Sequence, residues 1–139
     1  MKKNIYSAST ITLCVIFSVL FTSCNGSSSC GDSDEARVEY RVEIGAWKVE
    51  CLTSLEWIDK DGVLRGRTSL NTNPWKEIFC GLDGAHLYLS AGIECDEVTI
   101  SLYLNDNLVE RKTRDYQATI NGYLRIDDDG NATFEDKAD

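Results

Sequence analysis

The groups of this chain whose types could do chemistry are six cysteines, one histidine and a run of acids near the C-terminus. A cysteine sulfur can act as a nucleophile, a metal ligand or half of a disulfide. Cys24 ends an apolar run directly after the small residues Thr22 and Ser23, where a thiol is free to react rather than to pack. Cys14 lies inside that run, which leaves Cys30, Cys51, Cys80 and Cys95, an even set that allows three disulfide connectivities. Zinc is the rival use, but the chain has no C-x-x-C and its single histidine, His86, has no partner at ligand spacing. His86 is also the one imidazole base, and neither a Gly-x-Ser-x-Gly nor a Cys–His arrangement accompanies it, so the chain reads as a non-enzyme without cofactor. Asp127, Asp129 and Asn131 alternate as calcium-loop ligands do, yet an EF-hand would need Gly and Glu where Ala132 and Ala138 stand.

The elements around Cys24 explain its placement. Lys2 and Lys3 precede an apolar run from Ile11 to Phe21, the make-up of a secretory signal over residues 1–23. The run is too short for a stable membrane-spanning helix, which takes roughly 20 residues. An ordinary signal peptide that leaves Cys24 free for a disulfide is the other reading. The segment "LFTSC" resembles a bacterial lipobox, and that resemblance implies a thioether-linked lipid on Cys24 and a firm membrane anchor. Asn25 resembles the sorting residue of outer-membrane lipoproteins. The acids Asp32, Asp34 and Glu35 resemble the surface-export signals of Bacteroidota lipoproteins. Together these imply a lipid-anchored protein at the outer membrane or cell surface of a Gram-negative bacterium. Residues 24–35 are too polar to fold alone and read as a flexible tether, which as a coil of about 11 residues spans roughly 18 Å.

Removing residues 1–23 leaves 139 − 23 = 116 residues with a charge of 12 − 23 = −11. That balance repels phosphate backbones, so a nucleic-acid partner is not expected. The remainder divides into one domain over 36–126 and an acidic tail, expected to be disordered, over 127–139.

Apolar residues alternate through that domain with the period of half-buried strands. Val38, Tyr40, Val42 and Ile44 share a face; so do Trp47, Val49, Cys51, Thr53, Leu55 and Trp57. "DKDG" at 59–62 is a turn, "VLRGRTS" a weak edge strand, and a short strand follows Pro74. Leu87, Leu89, Ala91 and Ile93 form the next inward row, then Val98, Ile100, Leu102 and Leu104. Asp106-Asn107 reads as the hairpin turn after it. In the last strand Ala118, Ile120, Leu124 and Ile126 share a face, with a bulge expected at Asn121-Gly122. Seven or eight short antiparallel strands in under about 100 residues predict an all-β two-layer sandwich.

The segments "VEYRVEI", "SLEWIDKDG", "NPWKEIF" and "VTISLYLNDNLVERKT" together resemble the MmpS family of small membrane-anchored transport accessory proteins, over roughly residues 36–125. The resemblance implies an immunoglobulin-like domain outside the membrane and a place in an envelope transport complex of the MmpL/RND type. The chain departs from the family in its lipobox anchor and in where its cysteines fall. Within such a sandwich, Cys51 at the start of one strand and Cys95 at the end of its antiparallel neighbour come within bridging distance, about 7 Å between Cα atoms. Cys30 and Cys80 are then the second pair.

Candidate binding residues are aromatic. Trp75 beside Pro74 is either a surface wedge or a plug for one end of the sandwich. Tyr88 and Tyr103 point outward and would form an aromatic ladder if their strands shared a sheet. The expected function is that of a lipid-anchored, non-catalytic binding module with a protein or glycan partner; the alternative is the transport accessory.

Overall fold

The structure is a computed structural model that describes residues 30–45 and 51–137. Cys24, the signal segment, Trp47 and Val49 lie outside the described residues. The described residues form nine strands: β1 (Glu35–Ile44), β2 (Leu52–Ile58), β3 (Leu64–Arg67), β4 (Trp75–Leu82), β5 (His86–Ile93), β6 (Val98–Leu104), β7 (Asn107–Arg114), β8 (Gln117–Ile126) and β9 (Ala132–Asp136). They make two antiparallel layers, sheet A in the order β4-β1-β6-β7 and sheet B in the order β3-β2-β5-β8-β9. The first five strands follow the immunoglobulin-like winding, with β1 beside β4 in one layer and β2 beside β5 in the other. The β6–β7 hairpin then completes sheet A on the far side of β1, and β8–β9 completes sheet B.

The alternating rows identified in the sequence are the core. Val38, Tyr40, Val42, Leu55, Leu87, Leu89, Val98, Ile100, Leu102, Ile120 and Leu124 are fully buried between the layers. Tyr40 is the largest of them, and its hydroxyl accepts a hydrogen bond at 3.1 Å from the backbone N–H of Tyr88 in the opposite sheet. Burial pushes the Tyr40 phenol above its ordinary range, so it stays neutral there.

The structure differs from the sequence expectation at four places. The chain past residue 126 is not a loose tail: β9 pairs with β8 from Gly122↔Asp136 to Ile126↔Ala132, giving nine strands rather than seven or eight. Gly122 is no bulge, because its register runs unbroken to both neighbours. A Cβ there would stand 2.5 Å from the Phe134 ring, so glycine makes room for that ring. The β6–β7 turn is Asn105-Asp106, one residue earlier than expected, and both adopt positive φ, 48° and 66°. In β2 a register shift between Leu52 and Ser54 turns Thr53 outward and puts Leu52 in the core.

Two hairpins close by one device. In "DKDGV" and "DDDGN" the leading aspartate accepts hydrogen bonds from the backbone N–H two and four residues later. Gly62 and Gly130 take the positive φ, 74° and 80°. The Asp127 carboxylate, considered above as a calcium ligand, is thereby engaged within its own turn.

Both sandwich cysteine pairs are bridged. Cys51 and Cys95 join the adjoining ends of β2 and β5 with Cα atoms 5.5 Å apart. Cys30 and Cys80 join the segment before β1 to β4, at 5.6 Å.

Candidate binding faces

Each sheet turns one face to solvent, and side chains there are set by strand register. On sheet B, His86 stands opposite Tyr123, and Tyr123 opposite Glu135. The adjoining row pairs Tyr88 with Asn121, and the next runs Glu56, Ser90, Thr119. Alternation sends all of these away from the core. The His86 and Tyr123 rings lie 5.3 Å apart, and the His86 and Tyr88 rings 6.5 Å apart. His86 Nε2 lies 2.7 Å from Asn121 Oδ1; with that amide oxygen accepting, the imidazole carries its proton on Nε2. Ser90 and Thr119 hydroxyls meet at 3.0 Å, and Gln117 Nε2 donates to Ser90 at 3.1 Å. Arg125 lies over the Tyr123 ring at 5.7 Å and pairs with Glu135 at 2.5 Å. The result is a half-exposed cluster of three flat rings beside Thr119, Asn121 and Gln117, with Ser90 covered beneath them.

Next to His86 a cleft of about 550 Å³ opens between β4 and the Asp59–Gly62 turn. Ile78, Leu82 and Ala85 give it apolar walls, and Glu35 and Asp61 stand at its rim.

The outer face of sheet A is charged. One row runs straight across it as Lys76, Arg41, Ser101, Arg111, and the next as Ile78, Glu39, Tyr103, Leu108. Glu39 is only 6% exposed, with Arg41 at 2.7 Å, Arg37 at 3.5 Å and Lys76 at 3.7 Å. Burial works to raise its pKa, but the Arg41 hydrogen bond and the three positive charges outweigh burial and hold it below the usual carboxylate range. The Arg41 guanidinium lies 4.5 Å over the Tyr103 ring. Arg37 also pairs with Asp106 at the β6–β7 turn, and Arg111 with Glu43 at 3.6 Å.

Of the aromatic residues singled out from sequence, Trp75 is not a surface wedge. It is 6% exposed and packs against Trp57 with ring centroids 5.0 Å apart, the plug reading. Tyr88 and Tyr103 form no ladder, since β5 and β6 belong to different sheets. Tyr88 instead joins His86 and Tyr123, and Tyr103 lies under Arg41. His86 is outward as expected. Tyr123, Asn121 and the buried Glu39 were not singled out: their alternation is visible in the sequence, but which strand lies beside them is not. Among the described residues the one cluster of metal-type donors is Cys30, Glu35 and Cys80, and its sulfurs are joined to each other. No protein family and no curated protein matches the chain.

Proposed function

We propose that the protein is a lipid-anchored, non-catalytic binding module of the cell envelope, and that the outer face of sheet B is its binding platform for a glycan. The observation that carries this reading is the grouping of His86, Tyr88 and Tyr123 beside Asn121, Thr119 and Gln117, the last two held by the buried Ser90 hydroxyl beneath them. A sugar ring offers an apolar C–H face and a rim of hydroxyls. Flat aromatic rings take the first, and short hydroxyl and amide side chains take the second. Two of the rings have partners before any ligand arrives, His86 through Asn121 and Tyr123 under Arg125, and the strand that carries Tyr88 is tied at its backbone N–H to the buried Tyr40 hydroxyl. Little ordering then opposes binding. Placement on the cell surface rests on the lipobox-like segment at Cys24, and the transport-accessory reading rests on the MmpS resemblance alone.

Retention of the purified domain in gels cast with soluble polysaccharides tests the platform. At least one neutral polysaccharide should retard the wild type, and Tyr88→Ala or Tyr123→Ala should lower its affinity about tenfold or more, the loss of one stacked ring. Lys76→Gln, on the other sheet, should leave retention unchanged. Retardation that survives both tyrosine substitutions would rule the platform out.

A further inference from the structure

The cleft beside His86 runs along the open edge of a strand. Five consecutive residues of β4, Ile78, Phe79, Cys80, Gly81 and Leu82, line it. Successive side chains of a strand point to opposite faces, so a cleft touched by all five lies against the strand's edge rather than on either face. That edge is turned away from β1, because β4 is the outermost strand of sheet A. The backbone N–H and C=O groups of alternate residues point outward from it. Among the described residues no backbone group pairs with Ile78, Phe79, Cys80 or Gly81 on that side. The Leu82 carbonyl is taken by the Ala85 N–H at 3.0 Å.

Side chains around this edge define what would fit. Inward Glu77 opposes pairing of β4 along its whole length with another β4, but residues 78–82 carry no charge. Ile78 and Leu82 are 46% and 54% exposed; Val63 and Leu64, just past the turn that forms the facing wall, are 45% and 58% exposed. These are four of the six exposed large apolar side chains among the described residues, and such grouping marks an interaction site. The Leu82 end is acidic. Glu35 stands opposite Leu82, and the Asp83 N–H bonds the Asp34 carbonyl at 3.3 Å. Among the described residues none of these three acids has an ion pair. The cations nearby are engaged elsewhere: Arg65 with Asp59, Lys60 with Asp61, Arg37 with Glu39 and Asp106, Arg125 with Glu135.

We infer that this edge takes an extended peptide of a protein partner as a fifth strand of sheet A, paired along residues 78–82, with apolar side chains against Ile78, Leu82 and Ala85 and a basic residue beside Glu35. Main-chain hydrogen bonds hold such a strand, and its alternate side chains select it. Five paired residues span about 17 Å. The edge is a different surface from the ring cluster on the outer face of sheet B; of the three rings only His86 also lines the cleft.

The probes are peptides of about nine residues that alternate valine and threonine and end in lysine or in glutamate, added to the purified chain with its bridges intact. The lysine peptide should shift the amide signals of Ile78, Phe79, Cys80 and Gly81 and slow exchange of the edge-facing amides among them several-fold, while Thr119 and Tyr123 stay unmoved. The glutamate peptide should bind more weakly, and Glu35→Gln should lower affinity for the lysine peptide by up to about fivefold. N-methylation of one alternate set of peptide nitrogens should abolish binding, and methylation of the other set should leave it, because an added strand uses one edge only. No peptide binding tighter than about 1 mM, equal affinity from the two methylated sets, or shifts centred on sheet B would overturn the inference. So would a dimer of the free chain whose β4 amides are protected, since a second copy would then hold the edge.

Discussion

Three cations surround the carboxylate of Glu39, yet the residue belongs by alternation to the solvent face of β1. It is buried because β1 is an inner strand and its neighbours on β4 and β6 are long enough to close over it. The alternation of "VEYRVEI" shows which way Glu39 points; nothing in it shows that Lys76 and Tyr103 will stand beside it, since those arrive through pairing far along the chain. The depressed pKa has a defined consequence. A carboxyl whose pKa is lower folded than unfolded adds stability that is complete above the unfolded pKa and lost as pH falls through the folded one. Glu39→Gln should therefore lower stability at neutral pH by roughly 1–3 kcal/mol, as for a lost hydrogen bond to a charged group. It should also flatten the loss of stability below about pH 4.5. Urea unfolding of both proteins across acid pH measures each effect; parallel curves would show that the three cations do not bias Glu39. Asn73 is a second residue whose role depends on a distant partner. Its amide donates to the Ile44 carbonyl at 2.9 Å and accepts from the Ile44 N–H at 3.1 Å, closing the end of β1 as a neighbouring strand would.

At the scale of elements, β1, β5, β6 and most of β8 were legible because a one-face-buried strand must alternate and theirs does so with few breaks. What alternation cannot convey is the order of strands within a layer. For that reason the Tyr88–Tyr103 ladder failed while the platform with Tyr123 went unseen. β9 was missed for another reason: "ATFED" is short, acidic and half exposed, and it becomes a strand only because β8 offers a free edge. Its one large apolar residue, Phe134, lies over Gly122 and packs against the core. An edge strand invites pairing with other molecules unless something blocks it. The edges here carry charge on their inward faces: Glu77 on β4 opposite Tyr40, Arg65 on β3 opposite Trp57, Asp136 on β9 opposite Gly122. The dependence of β9 on one glycine can be measured. A Cβ at position 122 would lie 2.3 Å from the Glu135 carbonyl oxygen, so Gly122→Ala must push β9 away. Loss of hydrogen-exchange protection across β9, with the β1–β6 pairing unaffected, is the expected result. Overall stability should fall by about 1–3 kcal/mol, the usual cost of overpacking. Intact β9 protection in that variant would show that the strand is held by something other than Phe134 and the β8 ladder.

For the molecule as a whole, size makes the bridges matter. A domain of about 100 residues buries a limited share of its surface, and its net stability is a small difference of large terms, about 5–15 kcal/mol. The two bridges close chain segments of 50 and 44 residues, and in the chain-entropy account each restricts the unfolded chain by about 4 kcal/mol at 25 °C. Together they account for a large part of that margin. Their places in the fold separate their effects. Cys51–Cys95 joins the ends of β2 and β5, inner strands of sheet B, so its loss frees the edge of the core near Leu52 and Ile93. Cys30–Cys80 joins a segment outside the core to an edge strand, so in its absence the native sheets persist and only the attachment to sheet A is released. Cys51→Ala/Cys95→Ala should lower the urea midpoint and also loosen the β2–β5 amides. Cys30→Ala/Cys80→Ala should lower the midpoint with every strand still protected, and full reduction should leave a marginal fold. A fold that reduction leaves marginal is expected to be most stable where its cysteines stay oxidised, as they do in compartments outside the cytoplasm. If full reduction leaves the unfolding midpoint where it was, the core alone holds the two layers together and the redox argument for where the protein works is lost.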